Sequence, residues 1–438
     1  MGKKKKIDII FIALREEFPG HKDIDHLLPF LYFLNKSNDF KFTTRLIILE
    51  NQSNYEKNLD QRIKLLFDLK NLNIKFLFKN NFLSNIKKAL DSKNNIPVLG
   101  KYLDKLFKKL YLKYLEIKIK KINIKEKLGK VFLKSTCPLI ITLHKNHKVQ
   151  KIVSNIQKIN SRAKWVVIPH GTHLLVNKMV TDENLDKIQK KNKKNIYNKI
   201  DFNLTTSKWD LEEEVSNGVP RKKSFVIGSP RYCKEWLIIK SSLGVDGNKV
   251  IVNKKYKVKI LFFLPKKFIN IFWAEVIRTI DFISSYKEIE LILIDYDPYY
   301  SKLPKYIKKR SNVKLLSISK EYSTSKVIEW ADIVLHVGSS LVFEFLIKEK
   351  ISVFPRYLTS NTQISERYHA GFNLINRDEL RTLCNQAVSS LKNLKKNYNK
   401  KCKRANKKYI DDFVNANLPS VPLNIVKILS KVRNSFNV

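Results

Sequence analysis

Short runs of apolar, largely β-branched residues recur along this chain, and between them apolar positions fall three and four apart. Ile7–Leu14, Leu46–Leu49, Ile74–Phe78, Pro138–Leu143, Trp165–Ile168, Phe202–Thr206 and Ser224–Ile227 are apolar nearly throughout. That is the pattern of strands buried on both faces of a parallel sheet. Helical spacing separates them at residues 25–35, 59–70, 152–160 and 209–217. A second series follows. Strands are predicted at Lys259–Leu264, Leu291–Ile294, Val313–Leu316, the start of 331–346, and Ile351–Phe354, with helices at 269–285, 323–330 and 340–348. Alternation repeated in this way predicts an α/β chain of two doubly wound domains in tandem. The expected layout is a first domain over 1–232, a linker over 233–256 where periodicity lapses near Gly244 and Gly247, a second domain over 257–405, and a helical tail over 406–438.

Residues 83–128 interrupt the alternation. Leu103, Leu106, Phe107, Leu110, Tyr111, Tyr114 and Ile117 repeat at three and four, with lysines filling much of the rest. This predicts a long basic amphipathic helix. Two readings stand: a helix packed on its own domain with a solvated lysine face, or residues 101–121 lying on anionic lipid headgroups.

Charge sharpens that choice. The chain has 438 residues and a net charge of +45, with 43% apolar and 11% aromatic residues. Such a charge first brings nucleic acid to mind. The basic residues are mostly lysine, spread over the whole length, in a sequence also crowded with Asn, Ile and Phe. An AT-rich genome produces that joint bias. No RNA-recognition, KH, helix-turn-helix or zinc-finger pattern is present, so nucleic acid is the weaker partner. Diffuse lysine charge suits an anionic membrane surface at least as well. No segment reaches the roughly eighteen uncharged apolar residues that span a bilayer. The basic and apolar start is broken by Asp8 and ends at Arg15-Glu16-Glu17, which fits a first strand better than a signal peptide. Cys137, Cys233, Cys384 and Cys402 are widely spaced and read as free thiols. The expectation is a cytoplasmic chain, peripheral on the inner membrane face.

Candidate chemistry gathers at a few strand ends. In ADIVLHVGSSLVFEFL (331–346), a buried strand runs into Gly338, which permits a sharp turn, and then into Ser339 and Ser340. A helix starting there would point unpaired N–H groups and a positive dipole end at an anion. Glu344, one turn in, is placed to accept from a ribose diol. His336 is divided between core packing and phosphate contact. The plain alternative for the whole unit is a serine-capped corner. In WVVIPHGTH (165–173), an apolar strand delivers His170 and Gly171 to a sheet's carboxyl edge, where open α/β sheets place ligand chemistry. A histidine there suits general-base work, with strand capping as the alternative. Glu16 and Glu17 on the loop after the first strand rival it. His144 and His147 lack a neighbouring cysteine or carboxylate of suitable spacing, so no metal site is expected.

Three segments carry a resemblance. VIPHGTH (167–173) looks like the His-Gly-Thr segment of glycerophosphotransferase and surface-polysaccharide transferase families. VIGSPRY (226–232) resembles the turn closing the first domain of surface-carbohydrate biosynthesis proteins. ADIVLHVGSSLVFEFLIKEKISVF (331–354) resembles the donor-phosphate corner of GT-B enzymes. In this order, with two Rossmann-like α/β domains and a helical tail, they make the chain resemble GT-B nucleotide-sugar glycosyltransferases over most of its length. Pro169 stands where the family has Trp, and Cys233 where it often has Asp. The resemblance implies transfer of a sugar from a nucleotide-activated donor to a hydroxyl of a surface glycan or lipid-linked acceptor, with no metal or other cofactor. It places the donor on Gly338, Ser339, Ser340, Glu344, Gly228, Arg231 and His336, with Tyr296 and Asp297 flanking the base. His170, Glu16 and Glu17 become the candidates for activating the acceptor. A sugar-nucleotide 2-epimerase or polyol-phosphate transferase of the same fold is a second reading. A non-enzymatic protein binding nucleic acid or membrane through its charge is a third.

Overall fold

The computed structural model describes residues 9–13, 22–37, 43–51, 65, 68–69, 72–78, 139–143, 147–169, 171, 174, 199–242, 256–265, 270–295, 303–317 and 324–434. The first half contributes β1 (Ile9–Ala13), α1 (Lys22–Lys36), β2 (Thr44–Asn51), β3 (Leu72–Phe78), β4 (Leu139–Thr142), α2 (His147–Ile159), β5 (Lys164–Val167), β6 (Phe202–Thr205), α3 (Lys208–Ser216), β7 (Ser224–Val226) and α4 (Lys234–Ser242). The second contributes β8 (Val258–Phe263), α5 (Trp273–Ser284), β9 (Ile289–Asp295), α6 (Lys305–Lys308), β10 (Val313–Ser317), α7 (Thr324–Trp330), β11 (Ile333–His336), α8 (Val342–Ile347), β12 (Ile351–Pro355), α9 (Ile364–Arg367), β13 (Phe372–Leu374), α10 (Arg377–Ile410) and α11 (Val421–Asn434).

The strands form two parallel sheets. Seven have the order β3-β2-β1-β4-β5-β6-β7, and six have the order β10-β9-β8-β11-β12-β13. Both are Rossmann-like: the order reverses beside the first strand of each sheet, between β1 and β4 and between β8 and β11. Burial explains why the strands read as apolar runs. Ile9 and Phe11 face α1 and α11 through Leu27, Leu31, Ile425 and Leu429. Their neighbours Ile10 and Ile12 face α2 through Val149 and Val153. In the second sheet Ile260 and Phe262 meet α5 and α10, whereas Leu261 and Phe263 meet α7 and α8. Successive residues point to opposite faces, and each face is covered, so no polar alternation survives.

The chain does not end in the second domain. After α10 it makes a π-helical turn at Asp411–Asn415, and α11 then packs on the first sheet's core. Ser229 N donates to Val414 O at 2.7 Å, and Asn424 Nδ2 donates to Val226 O at 3.3 Å, which fastens the returning segment to the turn after β7.

Several expectations shift. The span 233–256 begins with α4, whose Trp236 and Leu237 are buried, so its first part is packed helix rather than irregular linker. Helix α8 starts at Val342, two residues later than the serines implied. The short β13 and α9 went unread. Segment 83–128, with the basic helix at 101–121, lies outside the described residues, as does most of 59–70. Among the described residues no helix is long and apolar enough to cross a membrane.

Candidate functional site

Strand β11 sits beside β8, at the reversal of strand order, so the loop after it opens into the crevice where such sheets bind ligands. Gly338 makes that turn with φ at +62°, in the left-handed region that side chains resist. Ser339 Oγ then accepts from Leu341 N at 3.3 Å, and Ser339 O accepts from Val342 N at 3.1 Å. Ser340 Oγ accepts from the Tyr232 hydroxyl at 2.9 Å. Gly338, Ser339 and Ser340 are all half-buried. Each serine accepts one bond here, which leaves its own O–H able to donate.

Tyr232 comes from the first domain's closing turn, so this bond ties the corner to the opposite domain. Beside it, the Arg231 guanidinium lies 5.3 Å from the centre of the Tyr232 ring and 3.3 Å from His26 Nε2 on α1. The corner, Tyr232 and Arg231 are thus neighbours, although more than a hundred residues separate Tyr232 from Ser340. Sequence reasoning quoted Tyr232 only as part of a motif. Its phenol carried no separate signal.

Three of the expected donor-site residues have structural surroundings of their own. Glu344 is fully buried, with Lys240 Nζ at 2.6 Å from one carboxylate oxygen and Lys348 Nζ at 3.7 Å from the other. Burial pushes its carboxyl up, but the Lys240 charge and hydrogen bond outweigh this and hold it below the usual range. Contact with a ribose would require this buried pair with Lys240 to open. Lys240 was missed because α4 was read as irregular. His336 is 1% exposed, stacked on Phe354, with Nε2 at 3.1 Å from Ser352 Oγ. Burial lowers its imidazole to about 3, so it is neutral and brings no charge to a phosphate. Gly228 has φ at +80°, and a Cβ there would fall 2.6 Å from Val421 Cγ2 and 2.9 Å from Val414 O. Its role is to admit the returning chain.

His336 has a measurable signature. Below about pH 6.5 the unfolded chain takes a proton that the folded chain refuses until about pH 3. The stability tied to neutral His336 is therefore complete above 6.5 and is lost as pH falls toward 3, by up to about 1.4 kcal/mol per pH unit. His336→Leu should flatten the fall in urea midpoint between about pH 7 and pH 5. An unchanged slope would show that the imidazole does not titrate in this way.

Opposite the corner, β5 ends at Val167. Ile168 is buried, Pro169 half-buried and Gly171 exposed. Leu174 O accepts from Ile364 N at 2.8 Å, and its side chain packs on the second domain's core. The loop bearing His170 therefore starts at the first sheet's carboxyl edge and lands on the loop after β12. His170 itself, like Glu16, Glu17, Tyr296 and Asp297, lies outside the described residues. The polar loop after β12 is buried at Thr359, Gln363 and Ser365. Among the described residues no group of His, Cys, Asp or Glu is arranged to hold a metal ion.

Two Rossmann-ordered sheets joined through carboxyl-edge loops, with a last helix returning to the first domain, define the GT-B fold. The chain is similar to a putative UDP-N-acetylglucosamine 2-epimerase from Listeria monocytogenes, with TM-score 0.57 and 12% identity over 99% of this chain and 97% of that one. It is also similar to the wall teichoic acid polymerase TagF, with TM-score 0.54 and 12% identity over 98% and 90%. A third is Anabaena HepE in complex with UDP and glucose, with TM-score 0.51 and 12% identity over 98% and 100%. No protein-family model and no curated protein sequence matches the chain.

Proposed function

We propose that this chain is a glycosyltransferase that uses a nucleotide-activated sugar. The observation that carries the reading is the placement of Gly338-Ser339-Ser340 at the second sheet's order reversal, bonded to Tyr232 of the first domain. The donor's phosphates would be held by the corner's N–H groups, the Ser339 and Ser340 hydroxyls and Arg231, which stabilise charge as the nucleotide leaves. His170 would take the acceptor hydroxyl's proton as the acceptor oxygen bonds to the sugar's anomeric carbon and the bond to the phosphate oxygen breaks. Glu16 and Glu17 are the alternative bases. The reading needs no metal. A surface glycan or lipid-linked acceptor, and seating on an anionic inner leaflet through residues 101–121, belong to the same proposal.

A second reading, a sugar-nucleotide 2-epimerase, is favoured by neighbours of that description, including one from Neisseria meningitidis bound to UDP-GlcNAc. An epimerase consumes its sugar nucleotide without an acceptor, so a product assay with and without acceptor separates the two.

A thermal-shift screen of CMP, CDP, UDP and GDP should raise Tm with one of them. Replacing Ser339 and Ser340 together by alanine should then weaken that nucleotide by about tenfold or more, the worth of a hydrogen bond to a charged group. Unchanged affinity in the double variant would sink the donor-site assignment.

A further inference from the structure

A groove of about 670 Å³ is lined by none of the corner residues Gly338, Ser339 and Ser340. One wall is the outer face of α3, and the other is Tyr368 with the turn that leads the chain back to the first domain. It is therefore built jointly by both domains.

Trp209 is 37% exposed, a large aromatic face left open inside a concave site. Carboxylates surround it: Glu212 and Glu213 on α3, and Asp412 opposite. Among the described residues Lys208 lines the groove, Arg221 pairs with Glu212 at its edge, and Lys408 Nζ lies 5.9 Å from the centre of the Tyr368 ring. Two of the acidic side chains have hydrogen-bond partners. Arg221 bonds to Glu212, and Asp412 accepts from the Tyr368 hydroxyl at 2.8 Å and from Asn417 Nδ2 at 3.1 Å. Burial and the neighbouring Asp412 push the Tyr368 phenol up to about 12, which keeps that donor protonated.

With Glu212 paired to Arg221, Glu213 and Asp412 still disfavour a phosphate at this groove. They accept hydrogen bonds well, and an open indole face packs against C–H groups. A sugar ring offers both, with an apolar face and a rim of hydroxyl donors. Its location adds direction. Trp209 packs on Phe413 at 6.3 Å, Phe413 on Phe343 at 6.3 Å, and Phe343 on Tyr232 at 5.5 Å. Tyr232 is the side chain that bonds to Ser340, so one aromatic column links the groove to the donor corner.

We infer that the groove binds an uncharged, hydroxyl-rich stretch of the acceptor glycan, away from the group that receives the sugar. This rests on the transferase reading for the word acceptor, but the saccharide site stands on the groove alone. The test is saturation-transfer NMR on the full chain with short uncharged oligosaccharides of glucose, galactose, mannose and N-acetylglucosamine. At least one should bind, and Trp209→Ala should weaken it by about tenfold, the scale of one lost aromatic contact. Glu213→Gln keeps the side chain's shape and should weaken binding by several-fold, which guards against a misfolded Trp209 variant. No binding by any of the four, or binding untouched by both variants, overturns the proposal. Failure of every nucleotide in the thermal-shift screen would overturn the transferase reading while leaving a positive saccharide result intact. Nucleotide binding without saccharide binding overturns the groove alone.

Discussion

Lys240→Met should destabilise the protein by about 3 kcal/mol, the low end of the range for breaking a buried ion pair. Glu344 is fully buried, and the Lys240 ammonium lies 2.6 Å from its carboxylate. Without that ammonium, a negative charge is left in the core between the domains. Lys348 remains at 3.7 Å, so the loss is not the full penalty. Lys348 is itself held by Ser325 Oγ at 2.7 Å and by Glu329, which limits its approach. The double variant Lys240→Met with Glu344→Met should lose less than the single one, because no charge is then stranded. The pH dependence has a definite sign. In the natural protein the Glu344 carboxyl sits low, so its stabilisation is present above the unfolded value and fades as pH falls through the folded one. In Lys240→Met that carboxyl is raised by burial, so the deficit should grow as pH rises from acid toward neutrality. Urea unfolding of all three proteins across pH reads both effects. A single variant within about 1 kcal/mol of the natural protein, or a double variant worse than the single, would show that the pair does not latch the domains.

That ion pair also marks where the sequence stopped being legible. The doubly wound fold was readable because Ile260–Phe263 and Ile9–Ile12 are buried on both faces, and a strand with two buried faces is mostly apolar. The corner after β11 was readable for a similar reason. A glycine and two serines after such a strand constrain the backbone whatever surrounds them. The ion pair of Glu344 was not legible because position within a helix says where a carboxylate begins, not what meets it. Its partner, Lys240, is 104 residues earlier, on a helix whose apolar residues serve two domains and so show little periodicity. His336 was undecided because its burial is supplied by Phe345 and Phe354, which only the folded chain brings to it. Local backbone form was legible, whereas contacts between distant segments were not.

Gly228→Ala should be about as damaging as loss of Lys240, and for steric reasons. The glycine has φ at +80°, so any side chain meets strain of roughly 1–2 kcal/mol from backbone conformation alone. The added Cβ would also lie 2.6 Å from Val421 Cγ2 and 2.9 Å from Val414 O. A valine methyl can rotate away. The carbonyl cannot, because it accepts the 2.7 Å bond from Ser229 N. Overpacking of this kind costs about 1–3 kcal/mol more, giving a total of roughly 2–5 kcal/mol. The penalty falls on the docking of α11, so the C-terminal segment should loosen before either sheet does. Limited proteolysis should then cut between α10 and α11 in Gly228→Ala faster than in the natural protein. Gly171→Ala is the matched control, since nothing lies within 4 Å of a Cβ at that exposed position. Equal cleavage rates in the natural protein and Gly228→Ala would mean that the close approach at Gly228 does not hold the tail. If the tail does loosen, the loss should also reach Tyr232, four residues on, and through its bond to Ser340 the nucleotide affinity of the corner.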